Sequence, residues 1–249
     1  MKTIIMLSLF SMVLFPNHPV DKSNTHSYFI NNIEEVDYLM GKYDPSEHSE
    51  FVMIPAKYTT KEGIYLRKEV FEAYQNMYNA ALREGLMLTL VSATRNFDYQ
   101  KDLWEAKWNA ISHDPKYNNL PGLEKVLKIL KYSAMPGASR HHWGTDIDIC
   151  DLNDGYYLSG TGKKIYEWLV NNADKYGFCQ TYTKFGEGRT SGYYEEKWHW
   201  SYQPMAQVFT KKAKELLTDD MFSGFFGAEE AKNISVVDNY VLGINRDCL

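Results

Sequence analysis

The chain is poor in the features that would identify several common protein classes. It has three cysteines in 249 residues, too few for a disulfide-built scaffold, and none of them form a CxxC pair that would suggest a zinc ribbon or a thioredoxin-type site. It has no excess of basic charge: 27 Lys and Arg against 32 Asp and Glu give a net charge of -5, which argues against a nucleic-acid partner. Internal repeats and low-complexity tracts are absent. Beyond the first residues no apolar run is long enough to cross a membrane. What is present, 44% hydrophobic and 24% charged residues, is the composition of a globular protein that can bury a substantial core.

The exception to the short apolar runs is at the start. Ile4 to Phe15 form a largely apolar stretch closed by Pro16. Its length fits the apolar region of a signal peptide better than a membrane span. Residues 1–22 are therefore expected to be a signal peptide or N-terminal anchor, which predicts export to a periplasmic or extracellular location. Membrane contact is expected only through that segment, if it is not cleaved. Residues 23–49 are polar and irregular and read as a lead-in.

The pattern becomes helical from Tyr65, with Val70, Phe71, Tyr74, Met77, Tyr78, Ala81 and Leu82 at three- and four-residue steps and Gly85 as the stop. Leu86–Ala93 reads as a strand, Tyr99–Ile111 and Leu123–Tyr132 as helices, and Met135–Gly144 as a loop. Thr145–Cys150 alternates polar and apolar residues, the signature of a half-buried strand. A helix over Gly160–Tyr176, strands over Phe178–Thr183 and Tyr193–Tyr202, and a helix from Pro204 to Leu217 follow. Residues 218–249 are expected to form short helices packed on the rest. This order predicts an α+β single domain with a mainly antiparallel central sheet flanked by helices.

Two polar clusters carry candidate chemistry. The first runs from Ser139 to Asp148 and contains His141, His142, Asp146 and Asp148; the second is Glu195-Glu196-Lys197-Trp198-His199-Trp200. A His and an Asp from one segment and a His from a later strand supply three ligands for a metal such as zinc, leaving a fourth position for water. A nearby carboxylate can move that water's proton to a leaving amine. Spacing leaves the assignment open. Asp146 and Asp148 share a strand face, His141 and His142 are rivals, and strand parity places Glu195, not Glu196, beside His199.

The pattern Ser139-x-His141-x-x-Gly144-x-x-x-Asp148, followed by Glu196-x-Trp198-His199, resembles the zinc D-alanyl-D-alanine carboxypeptidases and dipeptidases of the vancomycin-resistance type. Their superfamily includes lysostaphin-like endopeptidases and hedgehog signalling domains. Upstream, Ser92-Ala93-Thr94-Arg95 through Gln100 is similar to a third stretch of that family, S-x-x-R-x-x-x-x-Q. The resemblance implies a catalytic domain over residues 50–217 with one Zn2+ held by His141, Asp148 and His199. It implies Glu196 as general base, and with it a bend at Lys197, and Arg95 facing the scissile carbonyl.

By the same resemblance Ser139 and Gln100 contribute to substrate binding, Trp198 packs beside the metal, and Gly144 permits the turn between ligands. Asp146 stands where many relatives carry a small residue, so it either orients a ligand histidine or faces solvent. The implied activity is removal of the terminal D-Ala from peptidoglycan stem peptides. Endopeptidase, dipeptidase and non-catalytic zinc-containing binding-module readings stand as alternatives. Cys150 and Cys179 are expected either to bridge or to stay free, and Cys248 has no evident partner.

Overall fold

The computed structural model describes Phe29, residues 33–186 and residues 188–249. The expected signal segment lies outside the described residues, as do 23–28 and 30–32 of the expected lead-in; the rest of the lead-in is not irregular but carries a short helix and buries Tyr38, Leu39 and Met40. Among the described residues no helix is long and apolar enough to cross a membrane.

The chain first forms a short helix, α1 (Glu35–Leu39), and a two-stranded ribbon of β1 (Phe51–Met53) and β2 (Tyr65–Arg67). The helical pattern beginning at Tyr65 thus opens as a strand, because Tyr65, Leu66 and Arg67 pair with Met53, Val52 and Phe51. Helix α2 (Lys68–Arg83) starts immediately after and buries Val70, Phe71, Tyr74, Met77, Tyr78 and Ala81 of the stripe read from the sequence, while Leu82, its last member, is exposed. It ends as expected at Gly85, whose φ of 77° lets Leu86 N–H reach back to the Ala81 carbonyl.

The central sheet has strand order β3-β4-β6-β5 and is antiparallel throughout, as expected, with β3 at Leu90–Ser92, β4 at Asp146–Ile149, β5 at Phe178–Gln180 and β6 at His199–Tyr202. Helices α3 (Phe97–His113), α4 (Gly122–Ile129), α5 (Gly160–Asn172) and α6 (Gln203–Leu216) surround it in one domain. Strand β4 differs from the half-buried strand expected, since all four of its residues are buried. Its alternation separates a core face, carrying Ile147 and Ile149, from a polar face on which Asp146 is covered by other polar side chains and Asp148 lines a cavity.

Beyond α6 the chain makes only short turns, Asp219–Met221, Ala228–Glu230, Val237–Val241 and Arg246–Cys248. They are pinned to the domain: the Trp104 indole N–H donates to the Phe226 carbonyl at 2.8 Å, and Asn245 N–H to the Thr181 carbonyl at 2.9 Å. This return path decides the disulfide. Cys179 bridges Cys248, with Cα atoms 5.7 Å apart, and Cys150 is free, so the Cys150–Cys179 bridge considered from the sequence is not formed.

Sheet register gives the reason. Cys179 lies opposite Ser201, which lies opposite Asp146. Cys150 is therefore two strands away and four residues further along, roughly 13 Å at about 3.3 Å per residue, beyond the reach of a disulfide. Burial pushes the Cys150 thiol up to about 11, which leaves it unreactive. The bridge closes a loop of 69 residues. Cys248→Ser is expected to lower stability to chemical denaturation by about 2–4 kcal/mol. Wild type with reductant should show the same loss; a reductant-insensitive midpoint would mean that the bridge contributes nothing.

Candidate active site

The site forms where three segments meet on the polar face of β4 and β6. Asp148 pairs directly with His199 across the two strands, and Asp146 with Ser201. The third segment is the 3-10 turn Arg140–Trp143, closed by Gly144 at φ 71°. A Cβ there would lie 2.5 Å from the Phe51 ring and 2.8 Å from the Arg67 side chain, so only glycine fits this turn. The turn is locked to the end of β3: Arg95 N–H donates to the His141 carbonyl at 3.2 Å, and His141 Nδ1 meets the Ala93 carbonyl at 2.7 Å.

That last contact fixes a tautomer. With Nδ1–H bound to Ala93, His141 turns the lone pair of Nε2 inward, 3.4 Å from Asp148 Oδ2 and 3.2 Å from His199 Nδ1. His199 mirrors it, with Nε2 against Asp146 Oδ2 at 2.8 Å and Nδ1 inward, 3.2 Å from Asp148 Oδ1. The rival His142 is excluded because both its nitrogens serve the backbone, Nδ1 donating to the Arg95 carbonyl and Nε2 accepting from Gly137 N–H. Burial pushes its pKa down to about 3, so it stays neutral.

The three inward atoms suit a small divalent cation. Ligands at roughly 2.0–2.1 Å from a tetrahedral zinc stand about 3.3 Å apart; the two inward nitrogens are 3.2 Å apart, His141 Nε2 is 3.4 Å from Asp148 Oδ2, and His199 Nδ1 is 3.2 Å from the other oxygen, Asp148 Oδ1. Asp148 Oδ1 is buried against His199 Nδ1 at 3.2 Å, with no further donor to it among the described residues. The charges agree. Burial opposes charge on His199, but hydrogen bonds to Asp146 and Asp148 outweigh it and push its pKa up to about 9. A divalent cation satisfies the same carboxylates and displaces that proton.

Asp146 does not face solvent. It is fully buried and collects Thr145 Oγ and Ser201 Oγ at 2.7 Å each, Arg140 Nε at 3.3 Å and the His199 ring. Burial raises the cost of its charge, yet the Arg140 guanidinium and His199 hold its carboxyl well below the usual carboxylate range. Arg140 is equally buried and spends its other N–H groups on Thr210 and Ser201.

Glu196 approaches the tripod because β6 begins only at His199; the residues before it are not strand but turn at Lys197–Trp198. Parity therefore does not apply. Glu195 points away and pairs with Lys197 at 2.8 Å, while Glu196 Oε2 lies 3.6 Å from His199 Nδ1. Burial, reinforced by the Asp148 charge and opposed by His199, Arg95 and Lys107, pushes the Glu196 pKa up to about 8; a cation in the tripod would pull it down.

A cavity of about 310 Å³ opens over these groups. Arg95, Ser139, Trp198, Glu196 and all three tripod residues line it. Arg95 holds Ser92 Oγ at 3.3 Å through Nη1, and its buried Nε has no partner. Gln100 is not in the lining. It is buried behind the wall and donates to the carbonyl of Ala134, which is.

Residues 63–205, more than half of the chain, match the family model of VanY D-alanyl-D-alanine carboxypeptidases. The chain belongs to this carboxypeptidase family. It is 33% identical over 192 residues to YodJ of Bacillus subtilis, whose own carboxypeptidase assignment is provisional, covering 74% of this chain and 61% of YodJ. It is 25% identical over 154 residues to a D-alanyl-D-alanine carboxypeptidase of Enterococcus faecalis, covering 60% of this chain and 54% of that protein. The chain thus spans between about half and three-fifths of the length of these curated relatives. Among solved structures it is similar to LdcB, described as an LD-carboxypeptidase, with 27% identity, a TM-score of 0.51, and 78% and 80% of the two chains covered.

As a member of the D-alanyl-D-alanine carboxypeptidase family, the chain also shows site residues that its motifs left unassigned. Ser201 was within reach of parity, two residues after His199 on the same strand face. Tyr182, whose ring lies 4.7 Å from that of His199, and Lys107 in the cavity wall carry no such signal, since they come from a loop and from α3.

Proposed function

We propose that this chain is a zinc-dependent D,D-carboxypeptidase that removes the terminal D-Ala of peptidoglycan stem peptides. The observation that carries the reading is the buried His141, Asp148 and His199 tripod with Glu196 Oε2 at 3.6 Å from its His199 nitrogen, in a cavity that also holds Arg95. A zinc ion held by the tripod would supply Lewis acidity and lower the pKa of a bound water. Glu196 takes the proton of the attacking water and returns it to the leaving amine. Arg95, held by its backbone against His141, places a guanidinium where it can stabilise charge developing on the carbonyl oxygen. His141 and His199 stay in their ligand tautomers because Ala93 and Asp146 occupy their outer nitrogens. Ser139 offers a hydroxyl from the cavity wall to the substrate's terminal groups.

Export belongs to the same proposal, since it would bring the enzyme to the compartment of its substrate. One second reading has a specific basis. The similarity to LdcB, an LD-carboxypeptidase, supports cleavage of an L,D bond in place of a D,D bond. Mass spectrometry of digests separates the two. A peptide ending in D-Ala-D-Ala is expected to lose a single D-Ala, and one whose last D-Ala follows an L-residue is expected to stay intact. The reverse pattern establishes the L,D reading, and release of a larger fragment contradicts both.

A further inference from the structure

The Glu196 carboxyl accepts no hydrogen bond among the described residues; its contact there is His199 Nδ1 at 3.6 Å. Its direction is therefore set by the backbone of the turn that carries it, and that backbone is tied on both sides of the residue. Glu196 N–H donates to the Tyr182 carbonyl at 2.9 Å, and the Glu196 carbonyl accepts from the Gln180 side-chain amide at 3.2 Å. Gln180 is buried at the end of β5. Its Nε2 also lies 3.4 Å from the Tyr182 carbonyl, and its Oε1 accepts from the Tyr166 hydroxyl of α5 at 3.0 Å. An amide engaged at both its donor and its acceptor end has one orientation.

The C-terminal tail holds Gln180 in turn. Asn245 donates its side-chain amide to the Gln180 carbonyl at 3.3 Å and its N–H to the Thr181 carbonyl at 2.9 Å. The Cys179–Cys248 bridge fastens the same tail to the residue before Gln180. The tail also packs on the chain leading into Glu196. The Tyr240 ring lies 5.2 Å from that of Tyr193, and a Cβ on Gly192 would stand 2.3 Å from the Gly243 carbonyl oxygen, an approach that only glycine allows. These tail residues lie beyond the 63–205 span that matches the family model.

We propose that Gln180 is a positioning residue for Glu196, and that the tail over residues 240–248, fastened by the Cys179–Cys248 bridge, keeps Gln180 in place. This inference rests on the peptidase reading above and deepens it. A base must meet its proton within a narrow geometry, and a displacement of about 1 Å can cost about 10²-fold in rate. Gln180 is outside the cavity lining, so its loss acts on kcat and leaves substrate binding nearly alone.

The test uses the zinc-loaded, full-length protein. Gln180→Met keeps the length of the side chain and removes its polar end. It is expected to lower kcat on a stem peptide by about 10- to 100-fold and to change KM by less than about threefold. In a Glu196→Gln background the same substitution should lower the residual kcat by less than about twofold, because a residue that acts through another loses its effect once that one is gone. Hydrogen exchange reads the placement without turnover: the Glu196 and His199 amides should exchange about tenfold faster in Gln180→Met, with bound zinc unchanged. Cys248→Ser, assayed well below its thermal midpoint, should show the same dependence on Glu196 with a loss of about three- to tenfold, and carries the test even where Gln180→Met does not fold. A loss of equal size with and without Glu196, or unaltered exchange at Glu196 and His199, overturns the proposal. Full kcat in Cys248→Ser overturns the part given to the tail. A wild-type protein that hydrolyses no stem peptide overturns the peptidase reading, and the exchange rates then decide whether Gln180 orders the turn.

Discussion

Glu196→Gln should reduce kcat on a D-Ala-terminated stem peptide by about 10²–10⁴-fold, the range expected for loss of a positioned acid–base group. The amide keeps the shape of the side chain and cannot take a proton. Glu196 is not one of the three inward-facing tripod atoms, so the variant should bind zinc with unchanged stoichiometry. Its fold should survive as well, because a neutral group in this buried position relieves a carboxylate that burial already disfavours. The three readings together, kcat, bound zinc and thermal midpoint, separate a catalytic role from a structural one. A variant with intact activity would move the base elsewhere, and the one other carboxylate lining the cavity, Asp148, is already a tripod member.

The second large effect is expected at Asp146. Its carboxylate serves two partners at once, the outer nitrogen of His199 and the buried guanidinium of Arg140. Asp146→Ala should weaken zinc binding by about 10- to 100-fold, the usual consequence of removing the group that orients a ligand histidine. It should also destabilise the protein by about 3–5 kcal/mol, because Arg140 keeps its charge in a fully buried position without its anion. The double substitution Asp146→Leu with Arg140→Met tells the two effects apart. It removes both charges, so stability should largely return, while zinc affinity should remain low because His199 is still unsupported. Recovery of zinc affinity in the double variant would show that Asp146 acts on the site only through general stability.

The tripod was legible in the sequence because its three members sit within motifs whose resemblance to a known family is specific. Elementary spacing added that Asp146 and Asp148 share a face. Other features lay beyond spacing for identifiable reasons. Strand parity pointed to Glu195 because it takes the strand as regular from Tyr193, whereas pairing begins at His199 and a turn at Lys197–Trp198 delivers Glu196 instead. The alternation in β4 showed two faces but not what covers the polar one, since Arg140, Thr145, Ser201 and His199 reach Asp146 from segments before, beside and across from it. The Cys179–Cys248 bridge depends on the path of a tail with no strongly periodic pattern of its own, and 69 residues of separation give no local sign of it.

His141, Asp148 and His199 should hold the zinc ion on which hydrolysis depends. The most direct test is elemental analysis of the full chain, paired with D-Ala release, through removal of metal by a chelator and its restoration. One zinc per chain is expected, with activity lost on chelation and recovered on adding zinc, and with no zinc retained by His141→Ala. Full activity in the metal-free protein, or stoichiometric zinc in His141→Ala, would contradict the account.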